Sequence, residues 1–337
     1  MSTRKPRATN KTRVTMRHVA DAAGTSMISV SRAFRGSPAV SPALRTRIET
    51  TATALGYVPD RAASALASAR SMNIAVLIPA LTNMVFVEIL AGISEILTPQ
   101  GYQMLTATNL YAPAEEARQL RSLMAFRPDG VLLTGLDQHP ETLKQLTCPA
   151  VHMMALSPDP TRYCVGFSQV AAGAAIARHF IARGYKKLGF IAAQLDPRTL
   201  ARGAGFQNAL TKAGYPRAHE VLVPRSSSIT LGGELLAQVL TSHPEIEALF
   251  FCNDDLAQGA LFYCQRHGIS VPGRIALAGF NDLPASACTT PALSTIATPR
   301  HEIGRRAALM LLELISGQHP TPHSLDLGFT LHTRETS

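Results

Sequence analysis

From Ile74 onward the chain repeats one pattern: a short apolar run without alternation, followed by a longer stretch of helical periodicity. The runs IAVLIP (74–79), YQMLTAT (102–108), GVLLTG (130–135) and AVHMM (150–154) are separated by amphipathic stretches near 84–98, 113–126 and 140–146. The pattern then recurs with KLGFIAA (187–193), VLVP (221–224), ALFFCN (248–253) and IALAGF (275–280). Helical stretches near 169–183, 196–213, 230–241 and 254–267 accompany this second set. A strand that is apolar at successive positions is buried on both faces, as a parallel strand is when helices cover the sheet on either side. Two parallel α/β lobes are therefore expected. Such lobes hold ligands in the crevice beyond the carboxyl ends of their strands. One more helix over 301–317 and a last strand near 325–331 complete the body at 73–337. The first lobe is expected at about 73–166 plus 298–322, and the second at about 167–297 plus 323–337.

The α/β texture carries no recognisable cofactor chemistry. No G-x-G-x-x-G follows the first strand of either lobe, and there is no P-loop, H-E-x-x-H or G-x-S-x-G. His319 and His323 have Pro320 and Pro322 between them, so they do not share a helix face as a metal pair would. Asp254 and Asp255 are adjacent and diverge around a helix, which suits a helix N-terminus better than an acid/base dyad. Neither a cofactor nor a metal is expected, and nothing asks for an enzyme. The five cysteines form no C-x-x-C pair and mostly fall in or beside apolar runs, as reduced, packed thiols do. The opening MSTRKPRATNKTR is basic but has no apolar core of a secretory signal, and no apolar run reaches the length of a membrane span. The expectation is a soluble cytoplasmic chain with no membrane partner.

Net charge is +9, and all of it sits at one end. Residues 1–70 carry twelve Lys/Arg against three Asp/Glu, so the remainder is balanced. A neutral body with a cationic head is the electrostatic footprint of a nucleic-acid binder. Within that head, residues 1–13 read as a basic disordered tail. Thr15 can cap a helix over 16–23, Gly24 breaks it, and Ser26 caps a second helix running to about Phe34. Ser41-Pro42 starts a third, which ends before Gly56. Three short helices, the first two joined by a tight glycine turn, make a helix-turn-helix module over 14–58. Val30, Ala33 and Phe34 form its packed face. Met27 shares that face by spacing and either packs with it or stands at its tip, whereas Ile28 points elsewhere. Residues 59–72, rich in alanine and serine, read as a linker that can become helical.

Residues 14–59, VTMRHVADAAGTSMISVSRAFRGSPAVSPALRTRIETTATALGYVP, resemble the headpiece of the LacI/GalR family of transcription regulators. The likeness continues in order through IPALTNMVFVEILAGI, RPDGVLLTG, FIAAQLDPRTLARGAGFQNAL, FCNDDLAQGA, GFNDLP and TPRHEIGRRAALMLL. Within the family, VGFSQ, AQLDPRT, the triple serine and LDLGFTL look most like repressors of gluconate and ketogluconate use. The resemblance implies a helix-turn-helix headpiece on a two-lobed, periplasmic-binding-protein-like core. It implies a homodimer on a palindromic operator, released by a small-molecule effector such as gluconate or 2-ketogluconate; a corepressor of opposite sign fits the family equally.

Carried over by position, the family pattern sets Thr15, Arg17, Ser26, Ser31 and Ser41 against phosphates. Met27 and Ile28 fall on base-reading positions, with Arg32 a third, suited to guanine or a phosphate. Leu66 matches the leucine wedge that kinks the duplex, a role compatible with packing on its dimer mate. The effector positions are Asn83, Val85, Phe86, Ser168, Arg202, Ser227, Asn253 and Asn281. Arg202 is the family's ligand-gripping arginine, its alternative being a salt bridge on a helix face. Ser168 and Asn281 stand where relatives usually carry acids, a change that would repel an anionic ligand less. The run Ser226–Ser228 stands where sugar-binding relatives carry an aromatic, and reads equally as pocket wall or solvated turn. Two other classes fit the body: a solute receptor, which would need an export signal and no headpiece, and a sugar-acid enzyme, which turnover of gluconate would reveal.

Overall fold

The computed structural model describes residues 14–58 and 70–337. The basic tail at 1–13, Leu66 and most of the 59–72 linker lie outside the described residues. The chain divides into two compact units, the boundary falling between Ser71 and Met72.

The first unit holds three helices: α1 (Met16–Ala22), α2 (Met27–Phe34) and α3 (Pro42–Leu55). Their junctions follow the expected punctuation. Ser26 and Ser41 accept hydrogen bonds from the backbone N–H of Ser29 and Leu44, at 3.1 and 3.4 Å. Gly24 takes a φ of 60°, the left-handed conformation that lets the chain reverse between α1 and α2. Val19, Ala20, Val30, Ala33, Ile48 and Ala52 are buried together. The rings of Phe34 and Tyr57, 5.7 Å apart, close one side of this small core. Arg45 donates to the carbonyls of Ala33 (3.3 Å) and Ser37 (2.7 Å), placing a cation on the C-terminal end of α2 where the helix dipole favours one.

The second unit contains two six-stranded sheets. The first is built from β1 (Asn73–Ile78), β2 (Gln103–Thr108), β3 (Gly130–Thr134), β4 (Ala150–Met153), β5 (Tyr163–Gly166) and β11 (Ser324–Asp326). Their spatial order is β11-β5-β4-β3-β1-β2, with parallel pairing throughout. Helices α4 (Met84–Leu97), α5 (Pro113–Met124) and the short α6 (Pro140–Leu143) connect these strands. The second sheet comprises β6 (Leu188–Ala193), β7 (His219–Val223), β8 (Ala248–Phe251), β9 (Ala276–Asn281), β10 (Ser294–Ala297) and β12 (Thr330–His332). Its order is β12-β10-β9-β8-β6-β7, parallel except where β12 runs antiparallel to β10. Helices α7 (Gln169–Ala182), α8 (Pro197–Lys212), α9 (Ile229–Ser242) and α10 (Asp254–Arg266) belong with it, and α11 (Arg300–Ile315) returns to pack on α4. The central strands β1, β3, β6, β8 and β9 are almost wholly buried, as their unbroken apolar runs require.

The tail departs from the sequence expectation. The single strand expected over 325–331 is two strands, and they join different sheets. Ser324–Asp326 pairs in parallel with Cys164–Gly166 of the first lobe, so residues from 323 do not all belong to the second. The run is cut by Gly328 at a φ of 67°, whose N–H is held by Asp326 Oδ1 (2.9 Å). That turn carries the chain from one sheet edge to the other. The four-residue strands β5 and β10 also escaped the sequence reading, being too short for a distinct apolar run. The chain therefore passes between lobes after β5, after β10 and after β11.

Candidate nucleic-acid interface and ligand cleft

The first unit sets the expected contact residues at helix starts and on one helix tip. Thr15, Ser26 and Ser41 are the N-cap residues of α1, α2 and α3, and all three are exposed. The N–H of Thr15 donates to His18 Nδ1 (3.3 Å), and the hydroxyls of Ser26 and Ser29 lie 3.0 Å apart. Arg17 and Arg32 are exposed and Ser31 is half-buried. Met27 is 51% exposed and Ile28 62%, whereas Val30 and Ala33 close over the core. Met27 thus shares the spacing of the packed face but projects past its end, outside the packed cluster. Burying such side chains would gain about 1.5–3 kcal/mol each, so their exposure at the N-terminal tip of a helix marks a surface that gains by covering them.

In the second unit, Asn83, Val85, Phe86, Arg202, Asn253 and Asn281 converge on a cleft of about 440 Å³ between the lobes. Each is placed by the junction of a strand and the element after it. Asn83 caps α4, its Oδ1 accepting from Val85 N (3.1 Å) while its Nδ2 donates to the Tyr111 hydroxyl (3.2 Å). Asn253 caps α10 through Leu256 N (3.1 Å) and donates to Ser227 Oγ (2.8 Å). Asn281, at the end of β9, has a φ of 111°. Its carbonyl accepts from Arg300, which also donates to Glu88 Oε1 of α4 (2.8 Å) and so ties the lobes together.

Arg202 is buried. Its Nε donates to Gln169 Oε1 (2.8 Å), its Nη1 to the Cys252 carbonyl (2.6 Å), and its guanidinium lies 3.9 Å from the centre of the Phe280 ring. The salt bridge on a helix face is thereby set aside. Burial pushes its pKa down from the ordinary value, with Asp196 acting in the opposite direction. The backbone of Arg202 is equally confined: a Cβ on Gly173 of α7 would lie 2.0 Å from its carbonyl oxygen, so α7 and α8 cross at a distance only glycine allows.

Two expected residues stand behind the cleft instead of lining it. Ser168 caps α7 through Ala171 N (3.1 Å) and faces an adjoining hollow. Ser227 orients Asn253, Ser228 caps α9, and Ser226 borders the outer mouth. The serine run is therefore scaffold as much as wall.

Tyr111, Gln194, Asp196, Arg198 and Thr199 also line the cleft and were not anticipated. Tyr111 has a φ of 58°, and burial raises the pKa of its phenol. Asp196 is the N-cap of α8, accepting from the N–H of Arg198 (2.9 Å) and Thr199 (3.1 Å) and from Arg198 Nε (3.2 Å). Burial works to raise its pKa, but Arg198 and Arg202 outweigh it and the net shift is downward. The cleft lining thus presents two arginines against one carboxylate.

Comparison with known proteins agrees with both units. Residues 15–60 match the model of bacterial regulatory proteins of the lacI family, and residues 177–337 match a periplasmic binding protein-like domain. The HTH-type transcriptional regulator GntR of Pseudomonas aeruginosa is 48% identical over 329 residues, covering 96% of each chain. The GntR regulator of Escherichia coli is 38% identical, covering 95% of this chain and 98% of its own. The chain belongs to the lacI family of bacterial regulatory proteins. A transcription regulator named GntR from Chromobacterium violaceum, 48% identical, superposes with a TM-score of 0.76 over 79% of this chain and 99% of its own. A LacI-family regulator from Silicibacter pomeroyi, 33% identical, does so at 0.88 over 96% and 99%.

As a lacI-family member this chain is a DNA-binding transcription regulator. Among the described residues no helix is long and apolar enough to cross a membrane. The signal for the unanticipated cleft residues lay in the segment LDPRT (195–199). An Asp-Pro pair directly after a strand announces a helix cap at a strand's carboxyl end, where ligands of such sheets bind.

Proposed function

We propose that this regulator is a repressor of sugar-acid catabolic genes that binds a palindromic operator as a dimer and is released by gluconate or 2-ketogluconate. The observation that carries the reading is the cleft's excess of cation: Arg198 and Arg202 face one carboxylate, Asp196. Two guanidiniums in a desolvated cleft favour a carboxylate-bearing ligand over a neutral sugar, because a cation with no counter-charge is costly to bury. Asn and Ser at 281 and 168, in place of acids, keep that excess. The similarity to regulators named GntR and IdnR supports gluconate and idonate as the ligand class.

On the operator side, the exposed Met27 and Ile28 suit contacts with thymine methyls, and Arg32 suits a guanine edge or a phosphate. Thr15, Arg17, Ser26, Ser31 and Ser41 suit phosphates, since hydroxyls and backbone N–H groups gather at the starts of helices. Effector binding would shift the balance between two lobe arrangements by its difference in affinity for them. Thermal-shift screening of sugar acids, neutral sugars and nucleobases, followed by gel shifts on the chain's own promoter with each hit, tests this. Stabilisation by an aldonate that also releases operator supports it. Stabilisation by a neutral sugar or nucleobase alone refutes it, and an aldonate that tightens operator binding reverses its sign.

A further inference from the structure

Arg198 and Arg202 stand one turn apart on α8 and both line the cleft, but their guanidiniums are differently committed. Arg202 is held by Gln169 of α7, by the carbonyl after β8 and by the ring of Phe280. Its orientation is fixed by the second lobe alone. Arg198 has one strong tie, Nε to Asp196 Oδ1 at 3.2 Å. Its Nη1 is buried and, among the described residues, has no hydrogen-bond partner. Leaving a buried charged donor unmade costs more than the 1–3 kcal/mol or so of a neutral one. A group in that state in an otherwise well-satisfied fold calls for an acceptor supplied from elsewhere.

The surroundings show where that acceptor comes. Arg198 starts on the second lobe and reaches the strand ends of the first: its Nη1 lies 4.0 Å from where a Cβ on Gly135 would stand. The side chain is 13% exposed and borders the cleft together with Tyr111 and, on its outer side, Asp137. Asp196 does not compete for the free end, because the same Oδ1 already serves the N–H groups of Arg198 and Thr199. The Tyr111 hydroxyl accepts from Asn83, which leaves its own proton for a second oxygen on the same ligand.

We propose that Arg198 is the residue that recognises the effector's carboxylate, and that Arg202 is a positioning residue for the cleft wall. This rests on the sugar-acid reading of the cleft and assigns its specificity to one guanidinium. Arg198 separates an acid from its neutral isostere. Arg202 supports the binding of both.

The test is isothermal titration of the full-length protein with D-gluconate and with D-gluconamide, on the wild type, R198Q, R198K and R202K, with circular dichroism to confirm folding. R198Q is expected to weaken gluconate roughly 10- to 100-fold, the worth of charge-assisted hydrogen bonds, and to leave gluconamide within about twofold. R198K, which keeps the charge and loses the fork, should retain a preference for the acid at several-fold lower affinity. R202K should weaken both ligands alike. A folded R198Q that binds gluconate as the wild type does overturns the assignment, as does loss of acid preference in R202K alone. Should R198Q not fold, R198K with unchanged gluconate affinity overturns it equally. A wild type that binds gluconamide but no aldonate refutes the sugar-acid reading and takes this assignment with it, a result distinct from a wild type that binds gluconate and an R198Q that binds it unchanged.

Discussion

Replacing Asp254 by Asn should remove a pH dependence of stability that the wild type carries, and the structure sets its size. Asp254 is fully buried at the first turn of α10. Its Oδ1 accepts from the Thr295 hydroxyl (2.6 Å) and its Oδ2 from the Leu283 N–H (2.7 Å), pinning the loop that presents Asn281 to the cleft. Burial pushes its carboxyl up from 3.8 to about 6, with the Asp282 charge adding to the rise and these hydrogen bonds opposing it. Between those two values the folded state holds a proton that the unfolded chain has released. Stability from this group is therefore highest below about pH 4, falls as pH rises to about 6, and is flat above. The full fall corresponds to about 3 kcal/mol. In a unit of this size that is roughly 6–12 °C in Tm. Asparagine fits the site: its oxygen can face Leu283 N–H, and its amide can donate to Thr295, whose hydroxyl turns to accept. Thermal unfolding of wild type and D254N from pH 4 to 7.5 gives the difference curve. The difference is the quantity to read, since Glu116 and Asp255 are also pushed up by burial and His152 down. D254N should gain on the wild type by about 3 kcal/mol across that range. A difference independent of pH would refute the reasoning.

Three further outcomes are expected. Gly173→Ala places a methyl 2.0 Å from the Arg202 carbonyl, so α7 and α8 must part; it should cost about 1–3 kcal/mol in thermal unfolding and weaken effector binding in titration. Arg300→Met strips the charged donor from the carbonyl of Asn281, and should cost about 1.5–3 kcal/mol by denaturant unfolding. Glu88→Gln should cost less, because that carboxylate is 37% exposed and its attraction is screened. Ile28→Ala should leave headpiece stability within about 0.5 kcal/mol, because the side chain is 62% exposed, while changing the ranking of operator variants in gel shifts. Arg17→Ala should instead weaken all operators alike and lower the salt slope by about one.

Helix starts, buried strands and the glycine turn at Gly24 were legible in the sequence because each is decided by residues close along the chain. A serine followed by an apolar periodic run is a cap wherever it occurs, and an unbroken run such as Ala248–Phe251 has few places to go but a sheet's interior. The cationic head and the order of family motifs were legible for the same reason. Met27 shows where that information ends. Its spacing assigns it a helix face but does not say how far the core extends beneath that face, and tertiary packing left it half exposed.

The tail shows the same limit. LDLGFTL reads as one strand, but whether a short edge strand joins one sheet or another depends on which edge lies within reach, and here each half found a different one. The arginines show it most sharply. By sequence Arg202 carried the family's ligand role and Arg198 carried none. Only when the lobes stood together did Arg202 prove tied on several sides and Arg198 Nη1 prove buried without a partner. Caps, periodicity and charge are short-range properties of the chain, and the sequence by itself determined them. Which donors remain unsatisfied depends on acceptors brought from distant segments, and only the tertiary structure could decide it.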